Sequence, residues 1–264
     1  MNSPFCVLTI AGSDSGGGAG VQVDQRTIRS IGGHALVAVT AVTAQDARGV
    51  QAWERVSVSL IRAQIESALG GFTVSSVKTG LLPGAGAVRA AARALSQVPM
   101  LPLVVDPVLA SSSGTVFLTK AGISALRSEL LPLASLVTPN WPEAALLTGL
   151  PVGDFEQARR AATRLADDCG RPVLVKGGHA PGEICRDYLA VPGDEPVIFE
   201  TLRIETKNTH GTGCVLSAAI ASWLGRGASL QESVRLARSF LARALTRGRG
   251  IRWSGRGTAY FGQR

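Results

Sequence analysis

The stretch CVLTIAGSDSGGGAGVQVD, Cys6 to Asp24, starts as a run of strand formers, passes through a loop of glycine, serine and aspartate, and ends in residues suited to a helix. A strand feeding a glycine loop and then a helix is the opening half of a βαβ unit. The alternation continues along the chain. Apolar β-rich runs occur at Cys6 to Ala11, Ala35 to Thr40, Ser76 to Thr79, Leu103 to Pro107, Leu136 to Thr138 and Pro172 to Lys176. Longer amphipathic stretches separate them: SVSLIRAQIESALG from Ser57, VRAAARALS from Val88 to Ser96, and DFEQARRAATRLADD from Asp154. Asp154 is placed as an N-cap, because its carboxylate can accept from the unpaired amides of the first turn. Two further helices are expected from Thr212 and from Leu230 to Thr246. The pattern predicts an α/β fold with a mostly parallel central sheet. No low-complexity linker or fixed-period repeat divides the chain, so one domain over residues 1–264 is expected.

Composition narrows the function classes. Hydrophobic residues make up 45% of the 264, yet no apolar run approaches the roughly 18 residues of a membrane span. The start, MNSPFCVLTIAGSD, lacks the features of a secretory signal, which predicts a cytoplasmic protein. Cys6, Cys169, Cys185 and Cys214 show no CxxC spacing and point to reduced thiols rather than a zinc site or disulfides. The net charge of +8 suits an anionic ligand. Arginines crowd between Arg243 and Gly257 around Trp253, but one aromatic forms no stacking platform for nucleic acid. That segment is expected to be solvated.

The loops after the strands carry the chemistry. GSDSGGGAG follows Ala11, KTGLLPG follows Val77, DPVLASSSG follows Val105, TPNWPE follows Val137 and KGGH follows Val175. In parallel sheets such loops converge on a ligand crevice at the carboxyl ends of the strands. No GK dipeptide and no GxGxxG occur, which excludes the two commonest phosphate loops. NTHGTGC, Asn208 to Cys214, offers another device: glycines turn backbone amides inward, and the helix that follows adds its dipole. A thiol at that first turn is a core residue, a nucleophile or a base beside phosphate.

Together, LTIAGSDSGGGAGVQVD, TAQDARGVQ, KTG, DPV, TPNWPEA, VLVKGGH and TKNTHGTGCVLSAAIA resemble the hydroxymethylpyrimidine and phosphomethylpyrimidine kinases of thiamine biosynthesis, in the ribokinase-like superfamily. The resemblance runs in order through nearly the whole chain. It implies a three-layer α/β/α fold, ATP and magnesium as cofactors, and two successive phosphorylations of a small pyrimidine. A homodimer is the expected assembly, with no nucleic-acid or membrane partner. By the resemblance, Gly211, Thr212, Gly213 and Cys214 form the anion hole, and Cys214 is the catalytic base. A helix start lowers a thiol's pKa, so Cys214 is expected to be partly ionised. Gln45 would read the pyrimidine edge with its carboxamide, and Asp24, Gly12, Ala19 and Val108 would line the same pocket. On the residues alone, Asp24 is equally a charge in the first turn of a helix. Asn140 and Glu143 match the superfamily's N-x-x-E; Lys176 would face nucleotide phosphates, and Glu143 and Asp106 would hold magnesium through water.

Some positions depart from the family pattern. Leu81 and Leu109 stand where methionine is common, keeping the pocket wall apolar, and Ser112 replaces a Lys or Thr. RGTAYFGQR replaces the usual C-terminal signature. Two rival readings are a pyridoxal or pyridoxine kinase of the same fold, and a thiol hydrolase with Cys214 as nucleophile and His210 as base.

Overall fold

The computed structural model describes residues 4–46, 48–111, 114–253 and 257–259. Ser112 and most of RGTAYFGQR lie outside the described residues. The strands are β1 (Cys6–Asp14), β2 (His34–Asp46), β3 (Gly49–Arg55), β4 (Val74–Thr79), β5 (Leu103–Val105), β6 (Leu136–Val137), β7 (Val173–Val175), β8 (Ile184–Ala190) and β9 (Val197–Leu202). The helices are α1 (Gly20–Ser30), α2 (Val58–Gly71), α3 (Gly84–Leu95), α4 (Lys120–Ala125), α5 (Trp141–Thr148), α6 (Phe155–Cys169), α7 (Thr212–Gly225) and α8 (Leu230–Gly248).

The strands form one sheet in the order β3-β2-β1-β4-β5-β6-β7-β8-β9. Strands β2, β1, β4, β5, β6 and β7 pair in parallel. These are the six runs legible as apolar stretches. Parallel strands covered on both faces need apolar residues at successive positions, and such runs stand out in a sequence. Strands β3, β8 and β9, which the sequence reading missed, are antiparallel. Residues of β3 and β9 alternate or face solvent, as in GVQAWER and VIFETL, and Arg186 and Asp187 interrupt β8, so no apolar run marks these strands.

Side-chain alternation divides the sheet between two layers of helices. Leu8, Ile10, Val77, Val105, Val137, Val173 and Val175 face a core built with Ile61 and Ile65 of α2, Val88 of α3, Leu147 of α5 and Leu165 of α6. Val7, Val104, Leu136, Leu174 and Leu189 face the opposite layer, with Ile28 of α1, Ile220 of α7 and Val234 of α8. The result is the expected α/β/α arrangement. Asp154 caps α6 as expected, accepting from the Gln157 amide at 2.7 Å.

The arginine-rich end is solvated, as expected, at Arg243, Arg247, Arg249 and Arg252. Arg243 and Arg247 belong to α8, and the chain then turns back toward the loops. The Asn208 carboxamide donates to the carbonyls of Gly248 and Ile251 at 2.7 and 2.9 Å. The His210 amide donates to Gly257 at 2.9 Å, and the Thr258 hydroxyl donates to the Gly18 carbonyl at 3.1 Å. Ala259 is buried. One asparagine satisfies two backbone carbonyls and so ties this segment to the turn before α7.

Leu136→Ala should lower the unfolding free energy by about 2–5 kcal/mol in urea titrations, because the site is closed by both sheet and helix. Met100→Ala, at a side chain 91% exposed, should stay within about 0.5 kcal/mol of wild type.

Candidate active site

The carboxyl ends of the parallel strands face the start of α7. Gly211 precedes that helix with φ of +74°, and a Cβ there would lie 1.9 Å from the Gly18 carbonyl oxygen. Only glycine fits this turn. The first glycine loop and the late turn are therefore in direct backbone contact. Gly211 has no side chain to cap α7, which leaves amides of the first turn to attract an anion. A methyl group added at Gly213 would lie 3.3 Å from Lys176 Nζ and 3.8 Å from Asp106 Oδ2. Helix start and lysine thus converge, as the phosphate-site expectation requires.

Around Lys176 the polar groups are tightly partnered. Its ammonium donates to Asp106 Oδ1 at 2.8 Å and stands 4.0 Å from Glu143 Oε2. Asp106 also accepts from Thr138 on Oδ1 and from Ser217 on Oδ2. Asn140 and Glu143 form a reciprocal capping box at the start of α5: the Asn140 side chain accepts from the Glu143 amide at 2.9 Å, and the Glu143 carboxylate accepts from the Asn140 amide at 2.7 Å. The N-x-x-E spacing is accounted for first by this cap. Burial pushes the Glu143 carboxyl up to about 7; Lys176 opposes the shift, and Asp106 adds to it. Burial likewise works to raise Asp106, but Lys176 and Lys78 together hold it below the usual carboxylate range.

Beneath Cys214 lies a second pair that the sequence reading did not foresee. Lys78 Nζ donates to Asp24 Oδ2 at 2.8 Å, both side chains wholly inaccessible. The Thr9 hydroxyl donates to the same oxygen at 2.6 Å, and Asp24 Oδ1 has no hydrogen-bond partner among the described residues. Asp24 was expected to line an open pocket and instead sits in the interior, in the second turn of α1. A carboxylate there needs the ammonium, since an unpaired buried charge is costly.

The state of Cys214 also reverses an expectation. Burial pushes its thiol up to about 11; Lys78 and the Gly20 amide pull it down, while Asp24 and Asp106 push it further up. The helix start does not produce a resting thiolate, because desolvation of sulfur outweighs the helix dipole and the lysine is already neutralised by Asp24.

The first loop is organised by Asp14, a residue missed in the sequence reading. Asp14 Oδ1 accepts from the Gly16 amide at 2.8 Å, and Oδ2 accepts from the Gly18 and Ala19 amides at 3.0 and 2.8 Å. His210 Nε2 lies 3.1 Å from the same Oδ2. Burial works to raise Asp14, yet His210 and the loop amides hold it below the usual carboxylate range. Gln45 stands beside this group at a register shift in the β2–β3 pairing, a device that re-aims a side chain. The Ser15 hydroxyl donates to the Gln45 carbonyl at 2.9 Å and accepts from its amide at 2.8 Å. The Gln45 side chain meets His210 Nε2 at 2.9 Å. An aspartate followed by glycines at i+2 and i+4 was the available signal for the Asp14 nest.

The remaining expected residues fall around the same edge. Ala19 is the residue before α1, and Gly12 lies under Leu81, where a Cβ would approach Leu81 Cδ2 to 2.8 Å. Val108 joins Val50, Trp53, Ala41, Leu81 and Phe117 in an apolar wall. Leu81 keeps that wall apolar as expected, but Leu109 does not belong to it: it points into the main core and is 3% exposed.

Iodoacetamide should label Cys214 slowly near neutral pH and faster as pH rises toward about 11, followed by peptide mass mapping. A labelling rate already at plateau by pH 8 would contradict a half-buried neutral thiol. Glu143 gives a test on stability. Its folded value of about 7 exceeds the ordinary 4.5, so the folded state holds the proton more tightly than the unfolded chain. Relative to Glu143→Gln, which retains a capping side chain, wild type should lose stability as pH rises from 4.5 through about 7, by urea titration.

Comparison with known proteins gives the family and the fold. The family model described as phosphomethylpyrimidine kinase matches residues 14–258. The hydroxymethylpyrimidine/phosphomethylpyrimidine kinase of Streptomyces coelicolor is 42% identical over 247 residues, 93% of this chain and 90% of that protein. The phosphomethylpyrimidine kinase of Clostridium difficile superimposes with a TM-score of 0.79 at 34% identity, covering 91% of this chain and 99% of that one. An ADP complex of Bacillus subtilis pyridoxal kinase gives a TM-score of 0.85 at 32% identity, covering 92% of each chain. The α/β/α sheet is thus the ribokinase-like one, and the family model spans the chain from Asp14 of the first loop to Thr258 beyond α8: this chain belongs to the phosphomethylpyrimidine kinase family.

Proposed function

We propose that this chain, acting as one domain over residues 1–264, uses ATP to phosphorylate 4-amino-5-hydroxymethyl-2-methylpyrimidine and then phosphorylates the monophosphate to the diphosphate, in thiamine biosynthesis. The observation that carries the reading is the convergence of the uncapped start of α7 with Lys176 at Gly213. Catalysis of phosphoryl transfer is mostly positioning and charge stabilisation. First-turn amides of Gly213 and Cys214 gather charge on the transferred group, and Lys176 faces the nucleotide phosphates. Val108 and Leu81 give the ring an apolar wall, and Gln45 reads its polar edge.

Cys214 receives the proton of the hydroxymethyl group in the first step. With its thiol at about 11, only a small fraction is ionised at neutral pH, so this step should quicken as pH rises. In the second step the acceptor is a phosphate oxygen already anionic, and the requirement for a base falls away.

A magnesium ion fits the donor set, because Glu143 and Asp106 offer hard carboxylate oxygens beside the phosphate site. Both are engaged in internal bonds, Asp106 on both oxygens, which favours contact through water over direct ligation. When bound, the ion neutralises phosphate charge. Four free cysteines suit the reducing cytoplasm. A homodimer is the proposed assembly, supported by exposed apolar side chains at Leu60 and Phe72, and sedimentation tests it.

The fold is shared with the pyridoxal kinase named above, so pyridoxal is the second substrate to assay. The hydrolase reading is not favoured, since His210 Nε2 is held between Asp14 and Gln45. Incubation with ATP, magnesium and the pyrimidine alcohol should yield mono- and diphosphate by mass analysis. Failure to phosphorylate it, with turnover of pyridoxal, would move the assignment to the second reading. Cys214→Ala should slow the first phosphorylation about 100-fold or more and the second much less; equal losses would remove the base from the account.

A further inference from the structure

One ring nitrogen serves two neighbours. His210 Nε2 lies 3.1 Å from Asp14 Oδ2 and 2.9 Å from the end of the Gln45 carboxamide that is placed as Nε2. Asp14 accepts from the amides of Gly16, Gly18 and Ala19, so it is the ionised, acceptor-only form. Nε2 must therefore carry a hydrogen, whether the ring is neutral or charged. An N–H cannot accept from a second N–H. The end of the Gln45 carboxamide that meets His210 is then its oxygen, and the NH2 end is turned the other way; which end is which follows only from such partners.

No described residue bonds the far end of that carboxamide, while the Gln45 backbone is pinned on both sides by the Ser15 hydroxyl. The main chain cannot swing to present a different edge. The ring is confined as well, because a Cβ at Gly18 would lie 2.4 Å from His210 Cδ2.

We propose that His210, oriented by Asp14, is a specificity-determining residue that locks the Gln45 carboxamide with Oε1 toward the imidazole and the NH2 group toward the ligand. The pocket then selects a heteroaromatic ring that puts a lone-pair nitrogen against the NH2. An adjacent exocyclic amino group donates to the second lone pair of Oε1, on the His210 side. A lactam of the same shape, with a ring N–H and a carbonyl, presents the reversed pattern and leaves both ends unpaired. The substrate half of this inference rests on the pyrimidine reading above; the tautomer half does not.

The test has two arms. In the free wild-type protein, 15N NMR of labelled histidine should show His210 protonated at Nε2; a bare Nε2 with the proton only on Nδ1 overturns the inference outright. In the second arm, the aminopyrimidine alcohol is compared with its 4-oxo analogue as substrates for wild type and for His210→Phe, which keeps a planar ring against Gly18. Wild type should favour the amino compound in kcat/KM, and the variant should lose that preference by about tenfold or more, mainly through KM, because the carboxamide is free to turn over. An unchanged preference in a folded, active variant overturns the inference. A merely structural role would lower turnover of both compounds alike and leave their ratio intact. If wild type phosphorylates neither compound, the substrate reading fails, and the NMR arm decides the tautomer by itself.

Discussion

Two ammonium groups buried under the tip of one helix set the terms for the whole site. Lys78 is wholly inaccessible, the Lys176 side chain keeps 11% exposure, and each lies 2.8 Å from a carboxylate, Asp24 and Asp106 respectively. In a low-dielectric interior neither member of such a pair survives without the other, because removing one leaves a buried charge uncompensated. The pairs therefore hold β4 to α1 and β7 to β5, and both bear on Cys214, the first through Lys78 and the second through Asp106. The thiol sits in a field that is nearly balanced. That balance leaves desolvation as the deciding influence and keeps the sulfur protonated at rest.

The second organising feature is the contact between the first glycine loop and the turn before α7. Backbone meets backbone at Gly18 and Gly211, where side chains are excluded. The Asp14 nest closes the loop, His210 reaches from the late turn into that nest, and Thr258 straps the same carbonyl from the chain end. Residues from both ends of the sequence thus fix the side chain of Gln45, which emerges from a third element. The Gln45 side chain and the start of α7 share one rigid support, and glycines make the close approach sterically possible.

Several departures from expectation have a common cause. Asp24 and Leu109 were assigned to pocket walls from their places in loops and motifs, yet each turns inward. For Asp24 the reason is Lys78, a partner 54 positions away whose ammonium has nowhere else to discharge. Cys214 followed the rule for helix starts until the depth of its sulfur entered. Asn140 and Glu143 show a motif serving two ends, capping α5 while placing a carboxylate beside Lys176.

The sequence by itself determined the parallel core, since strands covered on both faces must be continuously apolar, and it marked a glycine turn at the start of α7, since glycine tolerates the positive φ such a turn requires. It also placed Lys176, Asn140 and Glu143 at the correct strand ends. Antiparallel β3 and β9 were illegible because a half-exposed strand carries no continuous apolar run, and β8 because Arg186 and Asp187 interrupt it. The tertiary structure alone decided which charges are paired, which thiol is neutral and which way a carboxamide faces. Those properties depend on depth and on neighbours far apart along the chain, and a linear order of residues contains neither.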